Sequence, residues 1–248
     1  MKRFVRLIFA FALLICLSSC SSYYYSFLSS NDMIGEKNDK YEFTQENDTL
    51  RVTYNFYGEN APVHITLYNK LPDTLYVDWA HSALVIDNES TSYAPEYYEG
   101  SVQMIPPYSK LDNTPIHLSD FIFDQIPRDK FEVEEYTKFN GDTIKLPSML
   151  FSEENSPLRF RSYISIFPEL KNDDAPSYRV FERSFYVSKL ISAGKTKPSD
   201  FEPAMTHDGD FFYTSNHRSE RTAIVIGAIA ISAAGLFIDV AASPDAYQ

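Results

Sequence analysis

From position 41 onward, apolar and polar residues alternate in short runs with a period of two. In 61–69 (APVHITLYN), Val63, Ile65 and Leu67 fall on one side and His64, Thr66 and Tyr68 on the other. In 74–80 (TLYVDWA), Leu75, Val77 and Trp79 share a face. In 157–167 (PLRFRSYISIF), Leu158, Phe160, Ile164 and Ile166 alternate with Arg159, Arg161, Tyr163 and Ser165. A period of two turns one face to a core and the other to water, as antiparallel sheets do. The runs at 49–57, 82–87, 142–147 and 178–190 are rich in Val, Ile, Thr, Tyr and Phe and bounded by turn-forming residues, which also reads as strand. A series of short strands of this kind predicts a mainly β fold, an antiparallel Ig-like β-sandwich, with a closed barrel as the alternative. The stretch 93–141 is irregular and proline-rich, with one short helix expected around 118–125.

The alternation fails at both ends. Residues 4–17 are almost wholly apolar and follow Lys2 and Arg3, a basic start with a short oily run that reads as a secretory signal peptide. The run is too short to span a bilayer, which takes about 20 apolar residues. Residues 21–40 are Ser- and Tyr-rich and then polar, which reads as a tether. Residues 222–238 (TAIVIGAIAISAAGLFI) carry no charge and predict an apolar helix. Its small residues Ala223 and Gly227, and Ala230 and Ala234, are spaced for close helix packing. His217, Arg218 and Arg221 precede it and Asp239 follows, so a span from an exported body would invert the positive-inside rule. Contact with an envelope protein or with the membrane surface through 222–238 is the expected role, with a membrane span as the open alternative. The expected organisation is a signal peptide at 1–19, a tether at 20–40, a β-sandwich domain at 41–215 and an apolar helix at 222–242.

Charge narrows the partners. Loss of residues 1–19 removes Lys2, Arg3 and Arg6 and no acid, which takes the formal charge from −12 to −15. So acidic a body is expected to repel nucleic acid and anionic membrane faces, and no basic reading motif is present. Both cysteines, Cys16 and Cys20, lie at the end of the N-terminal oily run.

Leu17-Ser18-Ser19-Cys20 resembles the bacterial lipobox, an aliphatic residue and two small ones before a cysteine. That resemblance implies that Cys20 is lipidated and becomes the first residue of the mature chain, anchoring it to a membrane. Cys16 would be discarded, leaving a body without disulfides. The order "LYNK" (67–70), "LYVDW" (75–79) and "SALVI" (82–86), followed by MIPPYSK (104–110), FRSYISI (160–166) and FYVSK (185–189), is similar to a group of uncharacterised Bacteroidetes lipoproteins. The similarity covers about half of the chain and implies an envelope location and a β-rich body, without an activity. Lys70 is followed by Leu-Pro where that group carries threonine. Surface export in Bacteroidetes goes with acids just after the lipidated cysteine. None occurs in 21–31, which points to the periplasmic face of the outer membrane. Asp48-Thr49-Leu50, Asp73-Thr74-Leu75 and Asp142-Thr143-Ile144 resemble Bacteroidetes O-glycosylation sites, making Thr49, Thr74 and Thr143 candidates. Asp-Thr opening a strand after a turn explains the same pattern.

The remaining motifs carry little chemistry. Gly194-Lys195-Thr196 lacks the earlier glycine of a phosphate loop, since that position is Lys189. His207-Asp208-Gly209-Asp210, with His217, contains metal-ligand types, but Asp-Gly is a turn signal and this stretch reads as a turn into a strand. The acid pairs Glu134-Glu135, Glu153-Glu154 and Asp173-Asp174 read as solvated loops rather than as a glycosidase pair. Tyr93, Tyr97 and Tyr98 form the best ligand-binding candidate, since loop aromatics stack on sugars or meet protein partners, or else cover the edge of the core. Trp79 reads as core. No catalysis, cofactor or metal is expected, and the leading expectation is a membrane-anchored structural or interaction module. The alternative is a lipoprotein that binds a glycan or small ligand through the tyrosine loop.

Overall fold

In the computed structural model the described residues are 22–30, 37–86, 88–94, 100–113, 116, 118, 126–169, 177–201 and 209–216. Residues 23–214 form one compact unit. Residues 1–22 and 215–248 form a second, of which only Ser22, Ser215 and Asn216 are described. The signal segment with Cys20, the 118–125 helix beyond Leu118, and the apolar run 222–238 all lie outside the described residues.

The fold is mainly antiparallel β, in two sheets. The smaller sheet has the order β2 (Phe43–Glu46), β3 (Leu50–Asn55), β4 (His64–Asn69) and β8 (Lys110–Asn113). The larger has nine strands and is organised by β12 (Arg179–Gly194), its longest. Residues 179–186 of β12 pair with β11 (Arg159–Pro168), and β11 pairs with β5 (Leu75–Ile86). The other edge of β5 carries β7 (Val102–Ile105) and β6 (Glu89–Ser92). Residues 186–194 of β12 pair with β1 (Ser22–Ser29), while 189–191 on the opposite edge pair with β10 (Thr143–Leu150). Outside these lie β9 (Glu132–Thr137), on β10, and β13 (Phe211–Asn216), beside β1.

The alternations read from sequence fall where they should. Val63, Ile65 and Leu67 are buried and meet Leu75, Val77, Phe160, Ile164 and Phe185 of the larger sheet in one core. Two runs expected as separate strands, 74–80 and 82–87, are one strand. Its register against β11 jumps from Tyr163↔Ala83 to Ser165↔Asp78, which leaves the intervening residues of β5 in a bulge. The stretch expected to be irregular contains β7, β8 and β9.

The tether expectation fails over 22–29. The sequence there, SYYYSFLS, forms β1, an interior strand between β13 and β12. Tyr25 packs with Leu146, Ile191, Ala193, Phe201 and Phe211 in a second core, and Leu28 on the other face joins the main core. A strand buried on both faces shows no alternation, and tyrosine and serine lower its apparent hydropathy. The Tyr25 hydroxyl donates to the Thr196 carbonyl, so the polar tip is satisfied inside. Burial first, and then the nearby Asp200, push its ionisation up.

Candidate functional site

The bulge of β5 holds the densest polar constellation among the described residues. Asp78 is buried, and its Oδ1 accepts the backbone N–H groups of Ala80 at 3.0 Å and His81 at 3.2 Å, which closes the bulge like an Asx turn. Its Oδ2 takes the Tyr178 hydroxyl and His81 Nδ1, each at 2.8 Å. The His81 and Tyr178 rings stack at 5.2 Å. Burial pushes the Asp78 carboxyl up, but the hydrogen bonds from Tyr178 and His81 outweigh it and hold it below its ordinary value. Burial and then Asp78 push the Tyr178 phenol up to about 12.

An aspartate that orients a histidine with an exposed outer edge is half of a nucleophile-activating unit. The nearby hydroxyls are committed elsewhere. Ser82 Oγ donates to the Asp78 carbonyl at 2.6 Å, and Ser165 Oγ donates to the His81 carbonyl at 2.6 Å. The Ser165 N–H donates in turn to Ser82 Oγ at 2.9 Å. These bonds satisfy the backbone groups that the bulge frees from the ladder. Chemically the arrangement braces a distorted strand.

A second feature is a shallow cavity of about 490 Å3 beside the smaller sheet, lined by Glu42, Asn55, Tyr57, His64, Thr66 and Asp112 among others. Asn55 Nδ2 donates to Glu42 Oε1 at 2.9 Å, and Thr66 Oγ1 donates to Asp112 Oδ1 at 2.6 Å. Planar amides, carboxylates and one aromatic ring suit a polar, hydroxyl-rich ligand.

The residues singled out from sequence are scattered. The Tyr93 ring is buried, meets Trp79 edge-on at 6.2 Å, and donates its hydroxyl to Ser162 Oγ at 2.8 Å. It therefore offers no exposed stacking surface, while Tyr97 and Tyr98 lie outside the described residues. Trp79 is buried, as read, with Nε1 donating to Gln103 at 2.9 Å. Thr143 is exposed at the start of β10, whereas Thr49 and Thr74 are half-buried. Thr49 Oγ1 also accepts from Arg179 at 3.2 Å. Asp210, from the metal-like motif, pairs instead with Lys37 at 2.5 Å, and Gly209 packs so tightly on Glu42 that a Cβ would lie 2.9 Å from its Cα. His207, Asp208 and His217 are not among the described residues. Thr196 of the Gly-Lys-Thr motif is buried in the turn after β12. Glu134 pairs with Lys189 at 2.6 Å and Glu135 with Lys145 at 3.2 Å, so these acids serve ion pairs across strands.

Sequence reasoning missed the Asp78–His81–Tyr178 group because Asp78 and His81 lie in β5 while Tyr178 stands just ahead of β12, 100 residues on. A polar pair, Asp78 and His81, inside an otherwise apolar strand run was the available signal. No family model, no curated protein and no solved structure matches this chain.

Proposed function

We propose that this chain is an envelope lipoprotein, anchored through acylated Cys20, whose Ig-like β-sandwich body acts as a structural or interaction module without catalysis. The observation that carries the reading is the join between Leu17-Ser18-Ser19-Cys20 and β1. The lipobox-like cysteine stands two positions ahead of a strand in the interior of the larger sheet. The commitment of the Ser82 and Ser165 hydroxyls to backbone carbonyls supports reading the Asp78–His81 pair as a brace rather than as a catalytic unit. The absence of acids in 21–31 supports a periplasm-facing position. The apolar run 222–238 supplies a contact with the membrane or an envelope partner. Metabolic labelling with a clickable palmitate, with intact mass on the wild type and Cys20→Ser, tests the anchor. Label on the wild type alone is expected, and an unmodified thiol on the exported protein sinks the reading.

The cavity between Glu42 and Asp112 favours a second reading, recognition of a glycan or small polar ligand. That ligand would bind at this polar surface rather than at the tyrosine loop. Chemical-shift changes at Asn55, His64 and Thr66 on titration with envelope oligosaccharides test it, and unmoved resonances at saturating sugar remove it.

A further inference from the structure

The direction of three strands defines one end of the larger sheet. Tyr23 of β1 pairs with Gly194 of β12, so the start of β1 lies at the end of β12. Leu28 N–H donates to the Asp210 carbonyl, and the Tyr23 and Tyr213 rings meet at 6.4 Å, so β13 runs antiparallel to β1 and finishes at this same end. The β9–β10 hairpin also reaches it, since β10 runs antiparallel to β12 and the Phe139 N–H donates to the Asp200 carbonyl at 2.9 Å. Tyr23 and Tyr213 therefore lie at an end built from the 138–142 turn and the 194–200 turn.

Lysines and acids are about balanced at that end, in a protein that is acidic overall. Phe139 is 66% exposed at the hairpin tip. Lys138 precedes it, Lys195 and Lys197 lie in the 194–200 turn whose Asp200 carbonyl takes its N–H, and none of the three is in an ion pair among the described residues. The acids of this end keep their charge: Asp200 Oδ2 accepts the Lys197 N–H at 2.9 Å, Asp142 Oδ2 accepts from Asn140 at 2.7 Å, and Glu135 pairs with Lys145. Glu59 stands at the opposite flank, beside Tyr213. The sequence leaving β13 continues through His217, Arg218 and Arg221 into the apolar run 222–238.

We infer that this end lies on the lipid surface, with Phe139 at the interface and Lys138, Lys195 and Lys197 on anionic headgroups. The inference rests on the anchoring of Cys20. Three residues of chain reach about 10 Å, so acylation at Cys20 keeps Tyr23 within that distance of the headgroups. An exposed aromatic belongs at that depth, and each lysine near an anionic leaflet adds attraction. The body is thereby oriented, with β12 rising from the membrane and the Val180 end, about 50 Å of strand away, facing outward.

The test uses the acylated chain in phosphatidylethanolamine–phosphatidylglycerol vesicles. Since Cys20 is blocked by lipid, a cysteine introduced as Phe139→Cys, Lys195→Cys or Val180→Cys takes a polarity-sensitive fluorophore uniquely. Labels at 139 and 195 should be blue-shifted and quenched by spin-labelled lipid, while the label at 180 is quenched by aqueous iodide. Replacing Lys138 and Lys197 by Glu should reduce the lipid quenching at 139. Vesicle-bound protein in which 139 is as accessible to iodide as 180 overturns the orientation and leaves the anchor standing. Protein that does not float with vesicles and carries a free Cys20 overturns the anchor and the orientation with it.

Discussion

The Tyr178 hydroxyl donates to Asp78 Oδ2 at 2.8 Å, joining residues 100 positions apart across the bulge of β5. Asp78 titrates below its ordinary value in the folded state. Its contribution to stability is present above the unfolded value of about 3.9 and is lost as pH falls through the folded one. Tyr178 is the reverse case. Its pKa is raised to about 12, so its contribution is whole below about pH 10 and fades as pH climbs toward that value. Tyr178→Phe should cost about 1–2 kcal/mol at neutral pH and move the acid transition upward. Circular dichroism across an acid titration checks this, and an unmoved acid midpoint contradicts it.

Lys37 bonds Asp210 at 2.5 Å and the Leu28 carbonyl at 3.1 Å, tying β1 to the start of β13. Burial pushes the Asp210 carboxyl up and Lys37 pulls it back. Lys37→Met should destabilise by about 3 kcal/mol at pH 7 by leaving a buried charge uncompensated. Since the folded value of Asp210 lies above the unfolded one, its ionisation opposes folding as pH rises. The loss in the variant should therefore be smaller near pH 4, and adding Asp210→Asn should restore part of it. Urea unfolding at both pH values reads the difference.

Lys189 first, and then Tyr136, hold Glu134 at about 2. The group contributes above its unfolded value of about 4.3, and the contribution is lost as pH falls toward 2. Both partners are partly exposed, so the pair is worth no more than about 1 kcal/mol. Lys189→Met should raise Glu134 toward the ordinary carboxylate range in an NMR titration while leaving stability within that margin.

Leu28 is fully buried in the main core from β1. Leu28→Ala should cost about 2–5 kcal/mol, as for other buried leucines. A tether residue would cost nothing. Thermal unfolding of the soluble body decides between them.

Thr143 is the exposed member of the three Asp-Thr pairs that resemble glycosylation sites. Peptide mapping of the native protein should find glycan mass on the Thr143 peptide. The Thr49 peptide should be bare, because its hydroxyl is half-buried and bonded to Arg179.

The sequence by itself determined the mainly β class and most one-sided strands. Where one face meets the core and the other meets water, polarity writes the pairing face into the chain, as at 63–67 and 158–166. It also determined the acidic balance and the two apolar end segments. Tertiary structure decided what had no such local imprint. SYYYSFLS became an interior strand because β12 and β13 flank it and a core covers each face, which no window of eight residues displays. Asp78, His81 and Tyr178 became one group because β5 bulges where Tyr178 meets it. Phe139, Lys195 and the two ends of the body came to share one edge because strand direction, rather than sequence distance, sets which residues are neighbours.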